Sequence, residues 1–391
     1  MTDVRRHQRG YVFLKGSCWY LRYYENELQA DGTVKLVQRC RKLADNKGQY
    51  RSKKAVRTLA DEFLGPLNSG TFTAESTMSV VDFWDRRYFP YVQAQKSPST
   101  VSGYRNMWSR YLKDHMTMAI RDFRTVDCQR VLEAVVAKHN ISNTTARHVK
   151  HLLGGLFRYA IQTGALNGVN PVLAASIPKA KPGRRTYAYS LDQILRMLEI
   201  LPQPARAIVA VAGFAGLRKG EIRGLRPEDY DGRTLKIERA AWRHHIAKPK
   251  GKRGAGIVPL IPTAAAVLDD HLAATKVQNF IFETLDGGPG ALDYVVREVI
   301  RPALAGAGIP WYGLHAFRRG LATNLHELGV SDIVIQAILR HSNVSVTRAA
   351  YIKNDGLDPQ SLAAMEALES AVCNQNATGT HDAEPRTDVK H

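Results

Sequence analysis

The stretch LHAFRRGLATNLHELGV, residues 314–330, is the part of the chain whose reading decides its fold. Leu314, Phe317, Leu321, Leu325 and Leu328 recur at helical spacing and form one apolar stripe. At 100° per residue Arg318 falls about 60° from the centre of that stripe, whereas Arg319 points roughly to the opposite side. Arg319 is therefore expected in solvent. Arg318 is expected at the margin of the core, where an unpaired guanidinium is costly. His315 lies one turn before Arg318 on the same flank, so the helix aims two donors at one spot. Taken in isolation the spacing is weak, because ordinary helices carry incidental basic residues.

Downstream, Gly329 closes this helix and Ser331 can cap the next, whose buried face is Val334, Ile335, Ile338 and Leu339. That helix runs out in Arg340-His341-Ser342-Asn343. Tyr351 follows ten residues after His341 in VSVTRAAYIK, with Arg348 and Lys353 near enough in sequence to favour a phenolate. Alone, Tyr351 reads as a buried structural tyrosine. Upstream, AGLRKGEI occupies 215–222. Gly216 breaks an apolar helix, and Arg218 opens the next with Glu221 one turn on. A buried Arg–Glu pair accounts for these two residues equally well. Strands are expected near 234–240 and 256–261. The turn between them, within HHIAKPKGKRGAGIVPL, is rich in glycine and lysine. It suits delivery of a flexible ammonium to a leaving oxygen, with Lys250 the first choice and Lys252 the second; a solvated lysine hairpin is the alternative.

Arg218, Lys250, His315, Arg318, His341 and Tyr351 together make a chemical set. The five basic residues suit the grip on one phosphodiester and the handling of its protons, and the tyrosine supplies a nucleophile. No Asp/Glu cluster offers to hold a metal, so phosphoryl transfer on nucleic acid without metal or cofactor is expected. The bulk composition agrees. The chain has 391 residues, with 55 Lys and Arg against 36 Asp and Glu, a net charge of +19 and 44 % hydrophobic residues. Such a surplus favours a polyanionic partner, most often nucleic acid. Cys18, Cys40, Cys128 and Cys373 are scattered without metal-site or disulfide spacing, which fits a reducing compartment. The polar N-terminus lacks the apolar core of a signal peptide. The longest apolar run, Ala207 to Leu217, is too short to span a bilayer. No membrane association and a cytoplasmic location are expected.

The expected fold class is multidomain α+β. Residues 1–70 read as a small basic β-α module: strands around Cys18–Tyr24 and Thr33–Leu43, an Asp31-Gly32 turn, and a helix capped by Ser52 and ended by Gly65-Pro66. Its charge suits contact with DNA. A polar linker at 71–78 leads to helices over 79–175. One opens at Val80. Others are capped by Ser99 or Thr100 and by Asn143 or Thr144, a further one carries Val131, Leu132, Val135 and Val136, and Asn170-Pro171 stops the pattern. Arg105, Arg110, Arg147, Lys150 and Arg158 could face phosphates, though each alone is an ordinary solvated position. The Pro-, Gly- and Arg-rich segment 176–187 is the clearest boundary. A mixed, mainly α domain with a small hairpin sheet is expected over 188–370, and a disordered tail over 371–391.

AGLRKGEI, the lysine turn with IVPL, LHAFRRGLATNLHELG, ILRHS and RAAYIK, in this order and spacing, resemble the boxes of the tyrosine recombinases, or phage integrases. Residues 79–175 resemble that family's helical core-binding domain, and 1–70 its arm-type DNA-binding domain. The resemblance implies that Tyr351 attacks a phosphorus of double-stranded DNA and forms a 3′-phosphotyrosyl bond. Arg218 and Arg318 would hold the non-bridging oxygens, His315 would accept a proton or add a donor, His341 would add a hydrogen bond, and Lys250 would protonate the leaving 5′-oxygen. It also implies a homotetramer at attachment sites, with accessory DNA-bending proteins, serving a phage or mobile element. Topoisomerase-like relaxation and a non-catalytic DNA-binding protein on the same fold are the rival readings. Two positions depart from the family pattern. Lys219-Gly220 replaces a less flexible pair and is expected to loosen the start of the helix behind Arg218. Arg340 stands where glycine is usual, and either alters the helix end or adds a phosphate contact.

Overall fold

The computed structural model describes residues 7–29, 31–70, 73–183, 186–249, 254–290, 292–340 and 359–378. The chain divides into two compact units, Met1–Gly183 and Arg184–His391.

The first unit begins with an antiparallel sheet of β1 (Tyr11–Lys15), β2 (Cys18–Leu28) and β3 (Val34–Asp45) in that spatial order. Tyr11 lies opposite Arg22, and Cys18 opposite Asp45. Alternation along β2 turns Trp19, Leu21 and Tyr23 inward, where α1 (Lys53–Asn68) covers them with Val56, Ala60 and Leu64. The Ser52 hydroxyl accepts the Ala55 N–H at 3.2 Å, as its cap role requires. The helix does not end at Gly65-Pro66. Pro66 sits in the last turn, where only one N–H is forfeited, and the Ser69 N–H closes on the Gly65 carbonyl at 2.9 Å. β1 went unread because Gly10 and Gly16, both at positive φ, cut its strand signal to five residues.

Four longer helical rods follow: α2 (Val80–Phe83, Trp84–Tyr88 and Phe89–Gln95 in succession), α3 (Pro98–Met107 continued by Trp108–Leu112), α4 (Thr125–His139) and α5 (Asn143–Gln162). Their core holds Trp84 stacked on Trp108 with ring centroids 4.3 Å apart. The caps differ from the sequence expectation. Ser97 precedes α3, because Pro98 is pre-set for the first helical position. Ser142 caps α5 by accepting the Thr145 N–H at 3.3 Å. α5 stops at Gln162, well before Asn170-Pro171, and Gly164 takes the left-handed turn that follows. Glu25, buried on β2, joins the sheet to the helices through Arg121, whose guanidinium gives it two hydrogen bonds of 2.5 and 3.1 Å. Arg39 adds a third at 3.3 Å.

The second unit is built around α7 (Ala205–Phe214), every described residue of which is buried except Arg206. That environment follows from its uniformly apolar surface. Packed about it are α6 (Leu191–Ile200), α8 (Lys219–Gly224), α9 (Pro262–Ala274), α10 (Leu292–Val295, Val296–Ile300 and Arg301–Gly306 in succession), α11 (Leu314–Glu327), α12 (Asp332–Leu339) and α13 (Pro359–Thr378). β4 (Thr234–Ile237) pairs antiparallel with β7 (Gly256–Pro259), as expected of these two strands, while residues 250–253 of the lysine-rich segment between them lie outside the described residues. A second hairpin, β5 (Ala240–Trp242) with β6 (His245–Ala247), had no sequence signal: its strands have three residues each and its turn places Arg243 at φ 54°. α13 carries order past 371, where a tail is expected from composition; Ala364, Met365, Leu368 and Val372 are buried in the main core. Residues 379–391 lie outside the described residues.

The segment entering this unit is fastened to α11 at several points. Tyr189 is fully buried; its N–H reaches the Ala316 carbonyl at 3.4 Å, and its hydroxyl donates to the Pro310 carbonyl at 3.1 Å and accepts the Tyr312 N–H at 2.7 Å. Tyr187 stacks on Tyr312 at 4.4 Å. Gly320 permits the closest approach, because a Cβ there would stand 2.4 Å from the Tyr189 carbonyl oxygen.

Candidate active site

Among the described members of the expected set Arg318 lies deepest, only 2 % exposed. It lies further inside than the stripe geometry suggests, since the C-terminal end of α12 closes over it. Nη1 donates to the Gly216 carbonyl at 2.6 Å, and Nη2 donates to the Leu339 carbonyl. Burial, then the charges of Arg218 and Arg340, push its pKa down to about 9, with Glu221 opposing, so the guanidinium stays charged at neutral pH. Gly216 is required where it stands. Its φ is 60°, and a Cβ would meet Leu339 at 2.7 Å and Leu321 at 3.0 Å.

Arg218 precedes α8 and is partly open to solvent. Glu221 organises it: one carboxylate oxygen accepts Arg218 Nη1 at 2.6 Å and the other accepts its backbone N–H at 2.9 Å. The Arg–Glu pair expected as an alternative is thus present, and it leaves Nη2 turned toward the Arg340 carbonyl at 3.5 Å. Two guanidiniums a hundred residues apart in sequence therefore arrive at the carbonyls of consecutive residues, Leu339 and Arg340. The start of α8 is firmly held rather than loosened. Gly220 lets it lie against β5, with the space for a Cβ only 3.3 Å from the Ala241 carbonyl oxygen, and Lys219 pairs with Asp293.

His315 occupies the first turn of α11 and is open to solvent on one side. Burial of its other side, then the cations Arg319, Arg318 and Arg218, hold its pKa below the ordinary imidazole value. A neutral ring able to accept a proton at pH 7 follows. Arg319 is not a free surface residue; its Nε donates to the Tyr187 carbonyl at 2.8 Å. Lys250, Lys252, His341 and Tyr351 lie outside the described residues. Among the described residues no group of three or more His, Cys, Asp and Glu side chains is placed to hold a metal ion, and no helix is long and apolar enough to cross a membrane.

Sequence reasoning missed the part Arg340 plays. Its Nη2 donates to Glu221 at 2.6 Å, so the guanidiniums of Arg218 and Arg340 share one buried carboxylate. The only signal for it was the arginine standing in place of a glycine.

In the first unit, three of the arginines and lysines considered for phosphate contact have partners within the protein, Arg110 lying over the Tyr111 ring at 5.5 Å. Arg105 lies over the Phe89 ring at 5.0 Å, and Lys150 donates to the Ala175 carbonyl. Arg147 and Arg158 are exposed.

Set beside known proteins, this combination of units and residues has a clear place. Residues 184–356 match the phage integrase family. Over 338 residues the chain is 24 % identical to a tyrosine recombinase XerC-like protein of Caldanaerobacter subterraneus subsp. tengcongensis, spanning 77 % of this chain and 86 % of that protein. Its fold is similar to that of the Tn1549 transposon integrase in complex with transposon right end DNA: TM-score 0.57, 18 % identity, 78 % of this chain and 100 % of that one. It is also similar to a lambda integrase tetramer bound to a Holliday junction: TM-score 0.54, 17 % identity, 88 % of this chain and 98 % of that one. Residues 184–356 thus match the phage integrase family, and the chain is similar over most of its length to tyrosine recombinases.

Proposed function

We propose that this protein is a site-specific DNA recombinase that cleaves and rejoins double-stranded DNA through a 3′-phosphotyrosyl intermediate. The observation that carries the reading is the meeting of Arg218 and Arg318 at the end of α12, with His315 one turn from Arg318. In this mechanism the two guanidiniums stabilise charge as it builds on the non-bridging oxygens, an arrangement in which loss of one such donor costs about 10²–10³ in rate. Tyr351 attacks phosphorus, the 5′-oxygen leaves with a proton from Lys250, and His341 donates to the phosphate. Neutral His315 accepts the phenolic proton, consistent with the cations that surround it. The phosphotyrosyl bond conserves the energy of the broken phosphodiester, so a second 5′-hydroxyl reverses the step. Four copies acting on paired attachment sites complete the exchange, a reading supported by the likeness in fold to a lambda integrase tetramer bound to a Holliday junction.

The domain roles follow. Residues 79–175 grip the crossover core, residues 188–370 perform catalysis, and residues 1–70 bind separate arm sites. The basic sheet supports the last role: Tyr11, Phe13 and Tyr20 stack in a row, with Arg22 over Phe13 at 5.2 Å and Lys53 over Tyr11 at 5.1 Å. A cytoplasmic location fits four free cysteines. The test is covalent capture on nicked duplexes made from the DNA flanking the gene. Wild-type protein should form a denaturant-resistant adduct. Tyr351→Phe should bind the same DNA and form none; adducts from that variant would overturn the assignment.

A further inference from the structure

Arg340 carries three structural penalties at once. It is the residue that ends α12, and its φ of 54° places a side-chain-bearing residue in the left-handed region that favours glycine. Its guanidinium is buried, with the whole residue 6 % exposed. Its Nε and Nη1 are buried donors without a hydrogen-bond partner among the described residues. Room has nevertheless been kept for it, since a Cβ at Gly256 on β7 would stand 3.3 Å from Arg340 Cδ. A glycine at 340 would remove every one of these penalties, so their coincidence asks for a function.

What the residue gains is a hold on Arg218 from both sides. Through its side chain it takes the Glu221 oxygen that also accepts the Arg218 backbone N–H, at 2.6 and 2.9 Å. Through its own carbonyl it meets Arg218 Nη2 at 3.5 Å. Without Arg340 the Glu221 carboxylate would serve Arg218 alone and be free to rotate onto it, neutralising the guanidinium that must face an anion. With Arg340 present the carboxylate is divided between two cations and its orientation is fixed. We propose that Arg340 is a positioning residue for Arg218, locking Glu221 so that one edge of the Arg218 guanidinium stays turned toward the scissile phosphate.

The inference rests on the recombinase reading above, and its test separates the two. The probe is a nicked duplex recovered from the flanking DNA by covalent capture on the full-length wild-type protein. Failure of the wild-type protein to capture any duplex overturns the recombinase reading itself. On a captured duplex, Arg340→Gly should bind within about twofold of wild type, yet form the adduct about 10–100-fold more slowly in single turnover, the effect expected when a reacting group is displaced by up to about an ångström. Its melting temperature should equal or exceed that of wild type, because the backbone strain is gone. Arg340→Lys, which restores a cation near Glu221, should recover part of the lost rate. Wild-type cleavage by the glycine variant would overturn the proposal. So would a loss of cleavage matched by an equal loss of binding, or one that lysine does not relieve at all.

Discussion

Gly216→Ala is the sharpest single test of how the site is built. The residue does three things: it ends the central helix α7, holds φ at 60°, and offers its carbonyl to Arg318 at 2.6 Å. An alanine held in the left-handed region costs about 1–2 kcal/mol. Its methyl would enter space 2.7 Å from Leu339 and 3.0 Å from Leu321, both buried, and overpacking of that kind costs about 1–3 kcal/mol. Together the loss is about 2–5 kcal/mol, which for a unit of roughly 200 residues lowers its melting temperature by about 4–20 °C. Any relief comes from moving the backbone at 216 or the end of α12, and both carry carbonyls that orient Arg318. At a temperature where the variant remains folded, adduct formation should therefore fall by about 10²-fold. Calorimetry of the full chain and single-turnover cleavage measure the two effects separately. A melting shift under 2 °C, roughly the effect of 1 kcal/mol or less, together with an unchanged rate would refute the reasoning.

The same structure fixes two further outcomes. Cleavage should lose activity on the acid side only below the ordinary imidazole pKa of about 6.5, because burial and three cations disfavour protonation of His315. Unfolded chains protonate this histidine first, so its site contributes full stability above that pH and loses it as pH falls through the window beneath; Arg319→Gln should move both the rate limb and this window upward, and a pH–rate profile indifferent to Arg319 would count against the assignment. Gly103→Ala should stabilise the first unit by about 0.5–1 kcal/mol, because Gly103 lies inside α3 with open space at its Cβ position and helical φ; a loss of stability in urea unfolding would show that the glycine has a partner there.

How far the sequence reached depended on whether a residue's partner lay close along the chain. The HxxR helix was legible because five apolar residues at helical spacing set its orientation, and Arg318 followed. The Ser52 cap and the pairing of β4 with β7 were legible for the same local reason. Arg319 was misplaced because its partner, the Tyr187 carbonyl, lies 132 residues away. Glu221 was read as one half of a pair with Arg218, but its second partner comes from a different helix end. The hairpin of β5 and β6 offered too few residues for an alternating pattern. The Glu25–Arg121 pair was invisible because a buried acid on an otherwise basic strand looks like any surface charge until the helices are in place.

The fastening of Tyr187, Tyr189 and Gly320 also gives the second unit a mechanical character. Tyr187 and Tyr189 are clamped against the start of α11 by hydrogen bonds, stacked rings and a glycine-sized gap. There is no slack between that clamp and α11, as the Tyr189 N–H bonds to the Ala316 carbonyl, one residue from His315 and two from Arg318. A pull on Tyr187–Tyr189 therefore reaches α11 directly. It acts as a torque on α11, with the clamp as the point of attachment and the His315 and Arg318 side chains on the moving arm.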